Sequence, residues 1–145
     1  MFKTVLIAVD VSEEAETQRI FAAAKALTMG WNCALHVINV VPPMGMAIVG
    51  SFLPKNFEAR SREAAHVKLM AALADADLKA KTHVLTGKVY DTILTEADAL
   101  AADLILIGSH QPELQDFLLG ANAARIVRHA NASVLVLRDY ASAAS

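Results

Sequence analysis

An α/β fold with a parallel, doubly wound sheet is predicted by three features of this 145-residue chain. Five strand-like runs alternate with four helical stretches in the order β-α-β-α-β-α-β-α-β. The first run, TVLIAV at residues 4–9, is apolar without a break, as a central parallel strand covered on both faces must be. Residues 104–137 read strand, glycine, loop, glycine, helix, strand, which is how α/β folds build a phosphate cradle.

The elements follow in order. After the first strand, Asp10 precedes Ser12, which is predicted to cap a helix. Glu13, Glu14 and Glu16 fall in its first turn, where acids complement the helix dipole. This helix runs to about Met29, with Ile20, Ala23, Ala24 and Leu27 as its buried stripe, and Gly30 ends it. Residues 33–40 form the second strand, broken by Val41-Pro42-Pro43. Residues 44–54 (MGMAIVGSFLP) read as a partly ordered loop or lid. The second helix spans about 56–75, with Phe57, Ala64, Val67, Met70, Leu73 and Ala74 as the expected buried stripe. Lys81–Thr86 alternates and is more polar, so it belongs near a sheet edge. Gly87 turns the chain into a third helix at about 90–101, and residues 103–107 form the fourth strand. A helix over about 120–130 carries Arg125, Arg128 and His129 towards its C-terminal end, where cations suit the dipole. Ser133–Leu137 is the fifth strand, and residues 139–145 read as a frayed tail of a single domain spanning 1–145.

Composition narrows the function. Hydrophobic residues make up 55% of the chain, so a sizeable core, and a subunit interface with it, is within reach. The net charge of −2 attracts neither nucleic acid nor an anionic membrane. No segment approaches the roughly 18 apolar residues that span a bilayer. The first apolar run is too short for a signal-peptide core, so a cytoplasmic location is expected. Cys33 is alone, which excludes an internal disulfide, and the sequon Asn131-Ala132-Ser133 is expected to be unused.

In doubly wound sheets, ligands sit beyond the carboxyl ends of the strands, where the strand order reverses. Candidate site residues therefore lie just after Val9, Val40, Thr86 and Ile107. Gly108 and Gly120 allow backbone amides to approach a phosphate closely, or they simply end a strand and start a helix. The first turn after Gly120 (Ala121, Asn122, Ala123, Ala124) holds no acid, which leaves its amides open to an anion. Asn122 is a phosphate donor or a helix cap. The loop before it carries Glu113 and Asp116 and no Lys or Arg, which argues against a triphosphate. Asp10 ends the first strand as a ligand contact or as a cap of the first helix. Lys88 shares this sheet edge, either near a phosphate or in solvent.

Catalytic and metal signatures are absent from the sequence. No pair among the five histidines has the i, i+4 spacing of helical zinc ligands. His36 interrupts an apolar strand and reads as a hydrogen-bonded core residue. Ser109, His110 and Asp116 are the residue types of a triad, but adjacent residues rarely face one another, and there is no Gly-x-Ser-x-Gly elbow. A Walker A sequence is also missing.

Several of these motifs coincide with a known family. Val5 to Ser12 (VLIAVDVS), Leu35-His36-Val37, Gly108-Ser109-His110, and Leu118-Leu119-Gly120 through Arg128-His129-Ala130 into Val134–Leu137 resemble the universal stress protein family over essentially the whole chain. Ser109-His110-Gln111-Pro112 and the helix start at Leu118 are most similar to its UspF/UspG-type subgroup. The resemblance implies a Rossmann-like five-stranded sheet of order 3-2-1-4-5. It implies a homodimer through strand Ser133–Leu137, with a tetramer as a larger assembly. It implies ATP or AMP, with Mg²⁺ as an accompanying ion, bound between the loops after strands one and four. On that basis the nucleotide-binding positions are Ala8, Asp10, Val37, Gly108, Ser109, His110, Gly120, Ala121 and Asn122, with Ala8 and Val37 flanking adenine.

The family motif is Gly-x-x-Gly, nine residues, then Gly-Ser or Gly-Thr. Here Gln111 stands at the second glycine, Gly108 and Gly120 are one residue closer than the motif requires, and Ala121 replaces the hydroxyl. Three functions remain open at this point. The first is a stress-response protein that binds nucleotide as a ligand ordering residues 111–117 and 44–54. The second is a nucleotide-independent interaction protein with a vestigial site. The third is a slow ATPase or self-phosphorylating protein.

Overall fold

The computed structural model describes residues 1–43, 56–109 and 120–138. Five parallel strands form one sheet: β1 (Thr4–Ala8), β2 (Ala34–Val41), β3 (Lys81–Thr86), β4 (Leu104–Gly108) and β5 (Ser133–Leu137). Their order is β3-β2-β1-β4-β5, as expected. Among the described residues, four helices cover the sheet: α1 (Glu14–Thr28), α2 (Phe57–Ala76), α3 (Val89–Ala99) and α4 (Ala121–His129).

Strand alternation sorts the core into two halves. Val5, Ile7 and Val37 face Ile20, Phe21 and Ala24 of α1 and Leu69 and Leu73 of α2. Leu6, Ile38 and Ile105 face Ile93 and Ala97 of α3 and Ala123 and Ile126 of α4. The sheet is thus buried from both sides, which is why Val5–Ala8 of β1 and Leu104–Ile107 of β4 are apolar throughout. Asp103 ties the two central strands at their base. Its carboxylate accepts the Lys3 and Thr4 amides at 2.9 and 3.0 Å. The Lys3 amide, chiefly, holds that carboxyl below the usual Asp range.

Three local expectations need correction. Ser12 does not cap α1. Its Oγ donates to Asp10 Oδ1 at 2.6 Å, and its amide donates to the same oxygen, so Asp10 organises the turn before the helix. The buried stripe of α1 is Thr17, Ile20, Phe21, Ala24 and Thr28, not one that includes Leu27. Thr28 is tolerated inside because its hydroxyl donates to the Ala24 carbonyl at 2.8 Å. On α2 the buried residues are Ala65, Leu69 and Leu73. Val67 is 60% exposed and Met70 49%, and Ala64 and Ala74 also face out. Apolar side chains surround this helix, so periodicity cannot choose a face. The packing against α1, including Gln18 Nε2 donating to the Ala72 carbonyl, makes the choice.

His36 is buried and hydrogen-bonded, as expected of a core histidine, and its partner is His83 on β3. The two ring nitrogens are 2.9 Å apart. His83 Nδ1 lies 3.4 Å from Glu96 Oε1 on α3. The tautomers that satisfy every partner have His36 Nδ1–H donating to His83 Nε2 and His83 Nδ1–H donating to Glu96. Burial, and then the neighbouring His83 and Lys81, lower the His36 pKa below its usual value, against a raising effect of Glu96. The unfolded chain therefore takes up this proton first as pH falls. The stabilisation is complete above about pH 6.5 and is lost as pH falls towards the lower folded value. Urea titrations between about pH 7.5 and about pH 5 are expected to show that loss, and His36→Gln is expected to flatten it. An unchanged slope in the variant removes this account.

Candidate functional site

The carboxyl end of the sheet opens into a cavity of about 720 Å³. β1 and the turn after it supply Ala8 and Asp10, and β2 supplies Asn39 and Val40. Gly108 closes it at β4, and Asn122, Ala123 and Ile126 of α4 form the opposite wall. This is the point where the chain leaves β1 and β4 in opposite directions, the switch point of a doubly wound sheet.

Local structure explains how each wall is placed. The Asp10 carboxylate holds the Ser12 amide and hydroxyl, while the Asp10 carbonyl accepts Thr17 Oγ1 at 2.9 Å and the Glu13 amide at 2.9 Å. The Val11 amide donates to Asn39 Oδ1 at 3.0 Å. Gly108 lies close against the side chains of α1. A Cβ there would overlap the Glu16 carboxylate and stand 3.1 Å from Ile20 Cδ1. Gly120 is the N-cap of α4, and among the described residues no side-chain hydrogen bond caps that end. The first-turn amides of α4 thus face the cavity region with no acid beside them.

The expected binding positions divide. Ala8, Asp10, Gly108 and Asn122 line the cavity. Val37 is fully buried below it, paired with Ile7, and contributes no surface. Gly120 and Ala121 precede the lining residues of α4. The Ser109 amide donates to the Leu137 carbonyl at 3.1 Å, so it continues the β4–β5 ladder. His110 and the expected ordering segments 111–117 and 44–54 lie outside the described residues. Arg125 does not turn back to the cradle; its guanidinium sits 4.7 Å over the Tyr90 ring, joining α4 to α3. Lys88 is exposed at the start of α3.

Across its whole length the chain matches known proteins. The model of the universal stress protein family covers residues 1–138. The chain belongs to this family. Universal stress protein G of Escherichia coli O157:H7 is 31% identical over 143 residues, covering 95% of this chain and 100% of that protein. The solved structure of hypothetical protein MJ0577 superposes with a TM-score of 0.79 at 24% identity, covering 96% of this chain and 97% of that one. The universal stress protein from Archaeoglobus fulgidus in complex with dAMP gives 0.63 at 17% identity, covering 94% of this chain and 98% of that one.

In this universal stress protein, several wall residues were not legible as site residues. Asn39, Glu13, Glu16, Ser61 and Lys68 all line the cavity. Asn39 had a signal, a polar residue in an apolar strand, like His36. Ser61 and Lys68 had none, because only the docking of α2 brings them to β1. The described wall carries three carboxylates, Asp10, Glu13 and Glu16, against one ammonium, Lys68. Among the described residues there is no group of three or more metal-ligating side chains, and no helix is long and apolar enough to cross a membrane.

Proposed function

We propose that this chain is one universal stress protein domain acting in the cytoplasm, with an adenine nucleotide as the ligand of the β1/β4 cavity. The observation that carries the reading is the meeting of Asp10, Gly108 and the start of α4, whose first turn holds no acid, around one cavity of about 720 Å³. The dAMP complex of a family member supports it. The nucleotide serves as a conformational ligand, since among the described residues none of the wall is placed as a general base against a nucleophile. The carboxylate-rich wall favours a monophosphate over a triphosphate, and Mg²⁺ would accompany ATP.

Assembly follows from the sheet edge. Among the described residues β5 has no neighbouring strand on its outer side, and Val134, Leu135, Val136 and Leu137 are only half-buried. A second copy pairing there gives the homodimer and, by further contacts, a tetramer.

The test is a melting series with AMP, ADP and ATP, each with and without Mg²⁺. A ligand at a hundred times its Kd adds about 2.7 kcal/mol, or roughly 5–10 °C for a chain of this size. AMP is expected to give the largest shift. Absence of any shift at millimolar nucleotide favours the nucleotide-independent interaction protein, a reading supported by the Ser109 amide being engaged by Leu137. Phosphate release from ATP that Asp10→Ala abolishes would instead favour the ATPase reading.

A further inference from the structure

Asn39 carries a feature that packing does not explain. It lies on β2, is 4% exposed, and forms part of the cavity wall. Its Oδ1 accepts the Val11 amide at 3.0 Å. An N–H can be received only by the oxygen, so this bond fixes which end of the amide is which. The Nδ2 end then holds two donors, and neither has a hydrogen-bond partner among the described residues. Buried donors in folded proteins are nearly always matched, so one left open on a cavity wall marks where an acceptor arrives. Holding the Val11 turn needs only an acceptor; the amide group adds two donors that this task does not use.

Position says which part of a ligand it meets. β2 and β4 flank β1. Two strand spacings, about 10 Å, therefore separate Asn39 from the Gly108 end. A phosphate at the start of α4 is out of reach, while the base and sugar lie across β1 towards β2.

We infer that the Asn39 side-chain amide reads a hydrogen-bond acceptor on the base or ribose of the bound nucleotide. The inference rests on the nucleotide reading above. Because the same side chain holds Val11, it also couples ligand contact to the turn that presents Asp10.

The experiment is calorimetric titration of the full chain and of Asn39→Asp with AMP and five analogues: 1-deaza, 3-deaza, 7-deaza, 2′-deoxy and 3′-deoxy AMP. Aspartate keeps an oxygen for the Val11 amide and replaces the donors by an acceptor. AMP affinity is expected to fall at least tenfold. One analogue, the one that lacks the acceptor, is expected to bind the two proteins equally. Equal weakening of all six ligands means that Asn39 only shapes the loop, and overturns the inference. Unchanged AMP binding in the variant overturns it while leaving the nucleotide reading intact. No AMP binding to the unmodified chain overturns both. Should Asn39→Asp not fold, Asn39→Ala is read the same way, because its loss must again spare one analogue.

Discussion

Phe21→Ala is expected to cost about 3–5 kcal/mol of folding stability, the usual range for removing a buried aromatic ring. Phe21 has no exposed surface and is the largest fully buried side chain of the described residues. It stands mid-way along α1, in the cluster that joins Val5 and Ile7 of the sheet to Leu69 and Leu73 of α2. No neighbour can close the gap cheaply, because the strand below is held in register by β2 and β4. Domains of this kind have total stabilities of about 5–15 kcal/mol, so the variant is left marginal. Urea denaturation measures the loss directly. A change below about 1 kcal/mol would mean that α1 is not packed as described. The site feels the same change, since Glu13, Glu16 and Ile20 reach the cavity from α1 and the turn before it.

Ala8→Leu is expected to remove the nucleotide-dependent melting shift while costing the ligand-free protein no more than about 1–3 kcal/mol of stability. Ala8 is the last residue of β1, packed with Ile38, Ile93 and Ile107, and it lines the cavity. Its small side chain is part of what makes the volume. Three extra carbons at that point occupy ligand space, and added apolar contact offsets the strain of fitting them. The two parts of the result separate the explanations. A lost shift with retained stability places the ligand at the β1 end. A retained shift means that the nucleotide binds elsewhere, and the cavity assignment falls.

The fold was legible because its determinants are local and repeated. Unbroken apolar runs at β1 and β4 signal strands covered on both faces, and Gly30, at φ 84°, stops α1 where a left-handed residue is needed. The polar alternation of Lys81–Thr86 marked β3 as an edge, and the sheet order bears this out. The same rule misleads at β5. Ser133–Leu137 is as apolar as a central strand yet lies at the other edge. Apolar character follows how a strand face is covered by helices, not whether the strand has a neighbour on both sides.

The cavity lining was legible only where one strand end specifies it. Asp10, Gly108 and Asn122 lie just past β1, just at the end of β4 and just inside α4, and chain order alone puts such residues at the switch point. Val37 was misplaced relative to the cavity because strand register, not motif, decides depth: its partner is Ile7, one position below Ala8. Lys68 and Ser61 come from α2, and which face of α2 turns inward was undetermined by a helix that mixes apolar and charged residues on every side.

The sequence by itself determined the element types and the parallel doubly wound class, because hydrophobic period and glycine punctuation are written along the chain, while the sheet order 3-2-1-4-5 came with the resemblance to the family. Only the tertiary structure decided that His36 meets His83 and His83 meets Glu96, that Gly108 lies against Glu16 and Ile20, and that Asn39 holds the Val11 amide at the cavity wall. Each of these pairs residues more than twenty positions apart or depends on which face a helix presents. Such contacts are set by the docking of whole elements, whose energies are summed over many side chains and leave no mark at any single residue.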